Sequence, residues 1–284
     1  MESETVLVFD GSFPGFLCAL GDALNILSKN HPLPRFEESG KDCAPGLFSI
    51  RLKARRDEAR AVRVWKRIES KAGEKAMIEC RDAFLSDAPM RFQALGHAMA
   101  RLNREGPRAL DDWADPSMAL VAKACLRTRH QAHLATGILR FSELAGGTWY
   151  APLDTDCDVL PLLGNHFSSR FPQSPFVIHD TRRGCAILHD PGARWTIAPG
   201  FHIEDSSLYL SAREDAIRDA WRRYFGAVSI EARENPALQA AHMPKKYWKY
   251  LPEMNFGQAH GILNPCEDPS WKALVSSNSP RPPD

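Results

Sequence analysis

Asp154, Asp156 and Asp158 alternate along the chain just after a β-rich run. Hard divalent cations take oxygen ligands, so this trio at a strand end could hold Mg²⁺ for phosphodiester chemistry. The same spacing suits a polar turn whose last aspartate caps a helix over 159–171. That second reading is carried forward, with no metal site and no resident cofactor expected. A second constellation is Arg140, His166, Arg170, Asp180 and Arg183, expected to converge on one concave surface. His166 and Arg170 stand four apart and share a helical face. Arg182 and Arg183 follow a strand in a tight turn, where guanidinium groups can fork onto a phosphate. The plainer account is a hairpin turn with solvated charges and a core histidine at His179. Neighbours on a strand point to opposite faces, so His179 and Asp180 cannot both serve one site on a regular strand.

The third constellation, Lys245-Lys246-Tyr247-Trp248-Lys249-Tyr250, interleaves cations with rings. Lysines neutralise phosphates and aromatic rings stack on unpaired bases, so Lys245, Lys246, Trp248 and Lys249, with Arg182 and Arg183, are the candidate nucleic-acid contacts. Trp248 and Tyr250 must then be partly exposed. Residues 51–67 add eight Lys/Arg against two Asp/Glu. That surplus also describes a solvated amphipathic helix. Glycine-rich phosphate loops, Gly-x-Ser-x-Gly elbows and His-Glu-x-x-His motifs do not occur.

These residues belong to a 284-residue chain with a formal net charge of +1, 44% hydrophobic and 25% charged. That composition is ordinary for a globular protein and excludes a globally basic nucleic-acid binder, though not a local basic patch. The seven cysteines form no Cys-x-x-Cys pair. This argues against a disulfide framework, a zinc ribbon or an iron–sulfur cluster held by this chain alone. The N-terminus lacks the positive start and long apolar core of a signal peptide, and no apolar stretch is long enough to span a bilayer. A cytoplasmic protein with no membrane partner is expected.

Residues 5–9 read as a buried strand, and Ser12 or Asp10 caps the helix that follows. Residues 47–53 suggest a second strand. Asp115-Pro116 starts a helix that runs to about residue 135. GILRFSEL and GTWYAPLD flank Gly146-Gly147 as a hairpin, and PFVIHD and GCAILHD flank Thr181–Arg183 as another. Ser211 and Glu214 have capping-box spacing, ahead of a stripe of Ile217, Ala220, Trp221 and Tyr224. The expected fold is α+β. Its sheet, from about 138–199, is mostly antiparallel, because those turns are too short for parallel crossovers. Helices from 11–30, 54–135, 157–171 and 211–251 pack with it. One domain is expected over 1–253, helix-rich over 11–135 and sheet-containing over 136–253, with an irregular tail over 254–284.

Five blocks, VFDGSFPGFL (8–17), GILRFSEL (137–144), LPLLGNHFSSRF (160–171), PFVIHDTRRG (175–184) and MPKKYWKYLPE (243–253), occur in this order. Together they resemble the SAM-linked probable DNA metabolism protein family of bacteria. Its members are typically encoded beside a radical-SAM protein assigned to DNA repair or modification, and some are fused to a uracil-DNA glycosylase-like domain. The resemblance implies DNA metabolism as the process, with the radical-SAM protein and a separate glycosylase-like protein as partners, and implies no particular reaction. Where the family usually carries acidic and basic residues around a histidine before GILRF, this chain has Gln131, Ala132, His133 and Leu134. Three functions remain open: a DNA-binding accessory protein, an enzyme on nucleic acid or nucleotides using residues in 154–183, and a protein-interaction scaffold that binds no nucleic acid.

Overall fold

The computed structural model describes residues 4–29, 31–40, 49–203, 209–230, 233 and 235–254. The expected tail from 255 onward, residues 47 and 48 of the expected second strand, and Cys43 and Cys266 lie outside them. The chain divides into two compact units, Met1–Arg129 and His130–Asp284.

The first unit opens with β1 (Glu4–Phe9) and α1 (Phe13–Leu27), followed by β2 (Arg35–Glu38) and β3 (Ser49–Lys53). Four helices follow: α2 (Glu58–Ala72), α3 (Glu74–Phe84), α4 (Arg91–Glu105) and α5 (Pro116–Ile138), the last running past the unit boundary. The Gly15 amide donates to Ser12 Oγ at 3.0 Å, while Asp10 Oδ1 accepts from the Ser12 hydroxyl at 2.6 Å. The helix start is thus satisfied in the manner expected of those residues. Asp57 caps α2 through the Arg60 amide, and Asp115 caps α5 through the amides of Ser117 and Met118. The sheet order is β2-β1-β3 and both pairings are parallel. Phe9, Phe16 and Phe84 form the centre of the core, with Phe92 packed against them at ring separations of 5.0–6.4 Å.

The second unit holds β4 (Ser142–Glu143), β5 (Trp149–Leu153), α6 (Leu160–Arg170), β6 (Phe176–Asp180), β7 (Cys185–His189) and β8 (Thr196–Pro199). After them come α7 (Glu214–Val228), α8 (Pro236–His242) and 3₁₀ turns at Lys245–Tyr250 and Pro252–Met254. Its strands lie in sequence order. Both predicted hairpins pair antiparallel, but β5 and β6 run parallel, so this sheet is mixed and the expectation of a mostly antiparallel sheet is corrected. The cause is α6, which carries the chain back across the sheet as a parallel crossover requires. The first unit's wholly parallel sheet departs from that expectation too. The fold class is α+β.

Two local expectations also change. GILRFSEL contributes only the two-residue β4, because α5 continues to Ile138. The Ser211/Glu214 capping box does not form, and α7 starts at Glu214 with no side-chain cap. Ser211 Oγ donates instead to Glu143 Oε2, and Glu214 accepts from the Glu143 amide and from Arg218 Nε. The polar edge of α7 is thereby sewn to β4, while Ile217, Trp221 and Tyr224 are exposed. Among the described residues no helix is long and apolar enough to cross a membrane.

Candidate nucleic-acid interface

β5 and β6 end side by side, with Leu153 opposite Asp180 in register. Beyond them lie the loop 154–159, the turn Thr181–Gly184 and the Lys245–Tyr250 turn. Strand-like alternation persists past the end of β5: Leu153, Thr155 and Cys157 are buried, and the three aspartates between and after them are half-buried. That alternation aims Asp154 and Asp156 outward, where cations meet them. Lys249 Nζ lies 3.0 Å from Asp154 Oδ2, Lys246 Nζ 2.8 Å from Asp156 Oδ2, and Arg182 Nη1 2.7 Å from Asp156 Oδ1. The hydrogen bond from Lys246, with Arg182 adding to it, holds the Asp156 carboxyl below the usual carboxylate range. Asp158 follows the other course. Burial pushes its carboxyl up against the pull of Arg183, and it accepts a backbone hydrogen bond from Leu160 at the start of α6. The trio therefore acts as two surface ion-pair partners and one residue just ahead of the helix, and the expected cap is corrected: Val159, not Asp158, holds the cap position of α6, which has no side-chain cap. Among the described residues no group of three or more His, Cys, Asp or Glu is arranged to hold a metal.

Asp180 organises the turn. It is fully buried, its Oδ1 accepts from the Arg182 and Arg183 amides at 3.0 and 3.1 Å, and its Oδ2 receives Arg183 Nη1 at 2.7 Å. Arg183 continues to the carbonyls of Thr155 and Asp156. Its guanidinium thus ties the turn to the 154–159 loop, and Arg182, half exposed, is the arginine turned toward solvent. His179 points to the opposite face, where Nδ1 meets the Tyr150 hydroxyl at 2.8 Å and burial lowers its pKa. It is a core histidine.

Of the five residues of the expected cleft, contacts join Asp180 to Arg183. Arg140 pairs with the buried Glu253 at 2.7 Å and lies over Trp221. His166 is exposed, its ring edge-on to Phe167, and Arg170 sits over Phe171. The crossover explains the separation. α6 starts beyond the end of β5 and leads back to the start of β6, so Arg170, in its last turn, belongs to the other end of the strands from Asp180.

The Lys245–Tyr250 turn presents its cations against its own rings. Lys245 lies 5.7 Å over Trp248, Lys246 5.1 Å over Tyr247 and Lys249 4.7 Å over Tyr250. Tyr247 is buried and anchors the turn, whereas Trp248 and Tyr250 are half-buried, as a stacking platform requires. Among the described residues Lys245 has no carboxylate partner. The arginines of 51–67 belong to the first unit.

Glu253 and Gln131 are the structural partners that residue chemistry alone did not single out. Glu253 accepts from Arg140 and, at 2.9 Å, from the Trp221 indole. It closes the block MPKKYWKYLPE and Arg140 stands in GILRFSEL, so two of the five blocks meet through this pair. Gln131 Oε1 accepts from the Cys157 amide at 3.0 Å, fixing the 154–159 loop from α5 with no charge at that position.

A search of curated proteins and a search of solved structures each found no match to the chain. A model for a domain of unknown function, DUF4130, matches residues 89–253, a span that takes in the sheet, its crossover and the Lys245–Tyr250 turn. The chain belongs to the DUF4130 family.

Proposed function

We propose that the Lys245–Tyr250 turn and the neighbouring ends of β5 and β6 bind nucleic acid, and that the chain is an accessory protein of DNA metabolism. The observation that carries this reading is one six-residue turn displaying three lysines and two half-exposed rings, braced on the sheet through Asp154 and Asp156. Ion pairs at such exposed positions contribute at most about 1 kcal/mol, so phosphates can replace the carboxylates. Lys245 and Arg182 extend the same surface. Replacing Lys245, Lys246 and Lys249 by glutamine should weaken oligonucleotide binding in fluorescence anisotropy by at least about tenfold at low salt. Unchanged affinity, or no binding by the parent chain, would refute the reading.

The partners are drawn from the resemblance: a radical-SAM protein of DNA repair or modification, and a uracil-DNA glycosylase-like protein acting separately. Support for a protein partner comes from α7, whose exposed Ile217, Trp221, Tyr224 and Val228 form an apolar stripe of the sort that marks interaction surfaces. Ile217→Ser with Tyr224→Ser should reduce co-purification with the radical-SAM protein while leaving oligonucleotide affinity intact. Retained co-purification would remove α7 from this reading.

A further inference from the structure

A hollow of about 260 Å³ opens at the N-terminal ends of β5 and β6, lined by Phe141, Trp149, Phe171, Ser174 and Phe176. Four of its five lining residues are aromatic. Phe171 and Phe176 stand at 68° and 74° to Phe141. Rings set so steeply offer a flat guest an edge and a face together, the two favoured aromatic arrangements. An apolar cavity of about 150 Å³ takes benzene, and drug-sized ligands need upward of about 300 Å³. The hollow therefore suits one substituted or fused ring system.

Polarity and charge narrow the guest. Among the described residues, neither the Ser174 hydroxyl nor the Trp149 indole N–H has a hydrogen-bond partner, so both can meet ring heteroatoms. Aromatic boxes also take quaternary ammonium groups, but no carboxylate lines this one. The exposed Arg170 guanidinium lies 5.7 Å from the Phe171 ring centre. A nearby cation disfavours a cationic guest and favours a neutral heterocycle carrying an anionic group.

We infer that this hollow binds a nucleobase, with Arg170 meeting the phosphate of the same nucleotide. The inference deepens the nucleic-acid reading and rests on it for its biological setting, but the hollow and the lysine turn lie at opposite ends of β5 and can be broken separately. The probes are AMP and TMP, with ribose 5-phosphate as the baseless control, titrated into the full chain by ligand-observed NMR. Both nucleotides should bind at least about tenfold more tightly than the control. Ser174→Trp, which fills the hollow, should abolish that preference, and Arg170→Gln should weaken the nucleotides while sparing adenosine. If thermal melting shows Ser174→Trp to be unfolded, Phe171→Leu, which keeps an apolar side chain and removes a ring wall, should reduce the preference in its place. Equal binding of nucleotide and control, or a preference that survives in the folded variant, would overturn the inference. Absence of oligonucleotide binding by the parent chain, with mononucleotide binding present, would sink the reading of the lysine turn and leave the hollow standing.

Discussion

Helices α1 and α7 are the same length and both carry an apolar stripe, yet they use it in opposite ways. In α1, Phe16, Leu17, Leu20 and Leu24 are buried in the first unit's aromatic core. In α7, Ile217, Tyr224 and Val228 face outward, Trp221 at their edge gives its indole N–H to buried Glu253, and the sheltered side is polar: buried Glu214 holds Arg218, and Arg222 donates to the Pro252 carbonyl. A period of 3.6 residues identifies a face and says nothing about what covers it. What decided α7 was a set of specific polar partners, Glu143, Ser142 and Glu253, whose spacing in the chain carries no signal.

The comparison can be broken most forcefully in the core. Phe16→Ala should cost about 3–5 kcal/mol in urea unfolding, since it empties a site ringed by other phenylalanines; a loss under about 1 kcal/mol would mean that the first unit does not depend on this packing. On the polar side, Glu253→Ala takes away the Trp221 indole's acceptor and the carboxylate of Arg140, which keeps the Gly137 and Leu139 carbonyls. Because Arg140 keeps partial access to water, the cost should be about 2 kcal/mol, with Glu253→Gln recovering part of it. If both variants match the parent, the polar attachment of α7 is not what holds it.

A pH series sharpens the contrast further. Burial lowers the His179 pKa, so the folded state binds fewer protons than the unfolded chain. Its stability is complete above the unfolded value of about 6.5 and is lost as pH falls from there toward the folded pKa. Unfolding at pH 7.5, 6.0 and 5.0 should show this decline, and His179→Phe should flatten it. A decline unchanged in that variant would assign it to other groups. Asp158 acts in the opposite sense, since burial raises its carboxyl pKa. Its contribution is complete below the unfolded aspartate value of about 3.9 and is lost as pH rises from there toward the raised folded value. The smallest effect belongs to the α7 stripe, where Ile217→Ala should change stability by less than about 0.5 kcal/mol. A larger loss would show the stripe to be covered.

Much of the local structure was legible in the residues. Ser12 and Asp115 cap where short polar side chains precede an apolar run, with Asp10 bracing Ser12 rather than capping the helix itself, and Thr181–Arg183 turns as a tight hairpin. The parallel crossover was not legible, because α6 was readable as a helix while the pairing of the strands on either side depends on contacts distant in sequence. The capping box failed for a related reason: Ser211 and Glu214 have the right spacing, but Glu143 competes for both. At the site, the lysine turn and its half-exposed rings follow from the sequence. Of the five residues expected in one cleft, contacts join Asp180 to Arg183, and the parallel crossover sets Arg170 at the other end of the strands.

The central claim is that phosphates bind at the lysine turn, and salt tests it most directly. The affinity of double-stranded DNA for the parent chain and for the Lys245/Lys246/Lys249→Gln variant should be measured from low to physiological salt. If all three lysines touch phosphate, the slope of log affinity against log salt should be shallower in the variant by up to about three units. Parallel slopes for the two proteins would contradict the account.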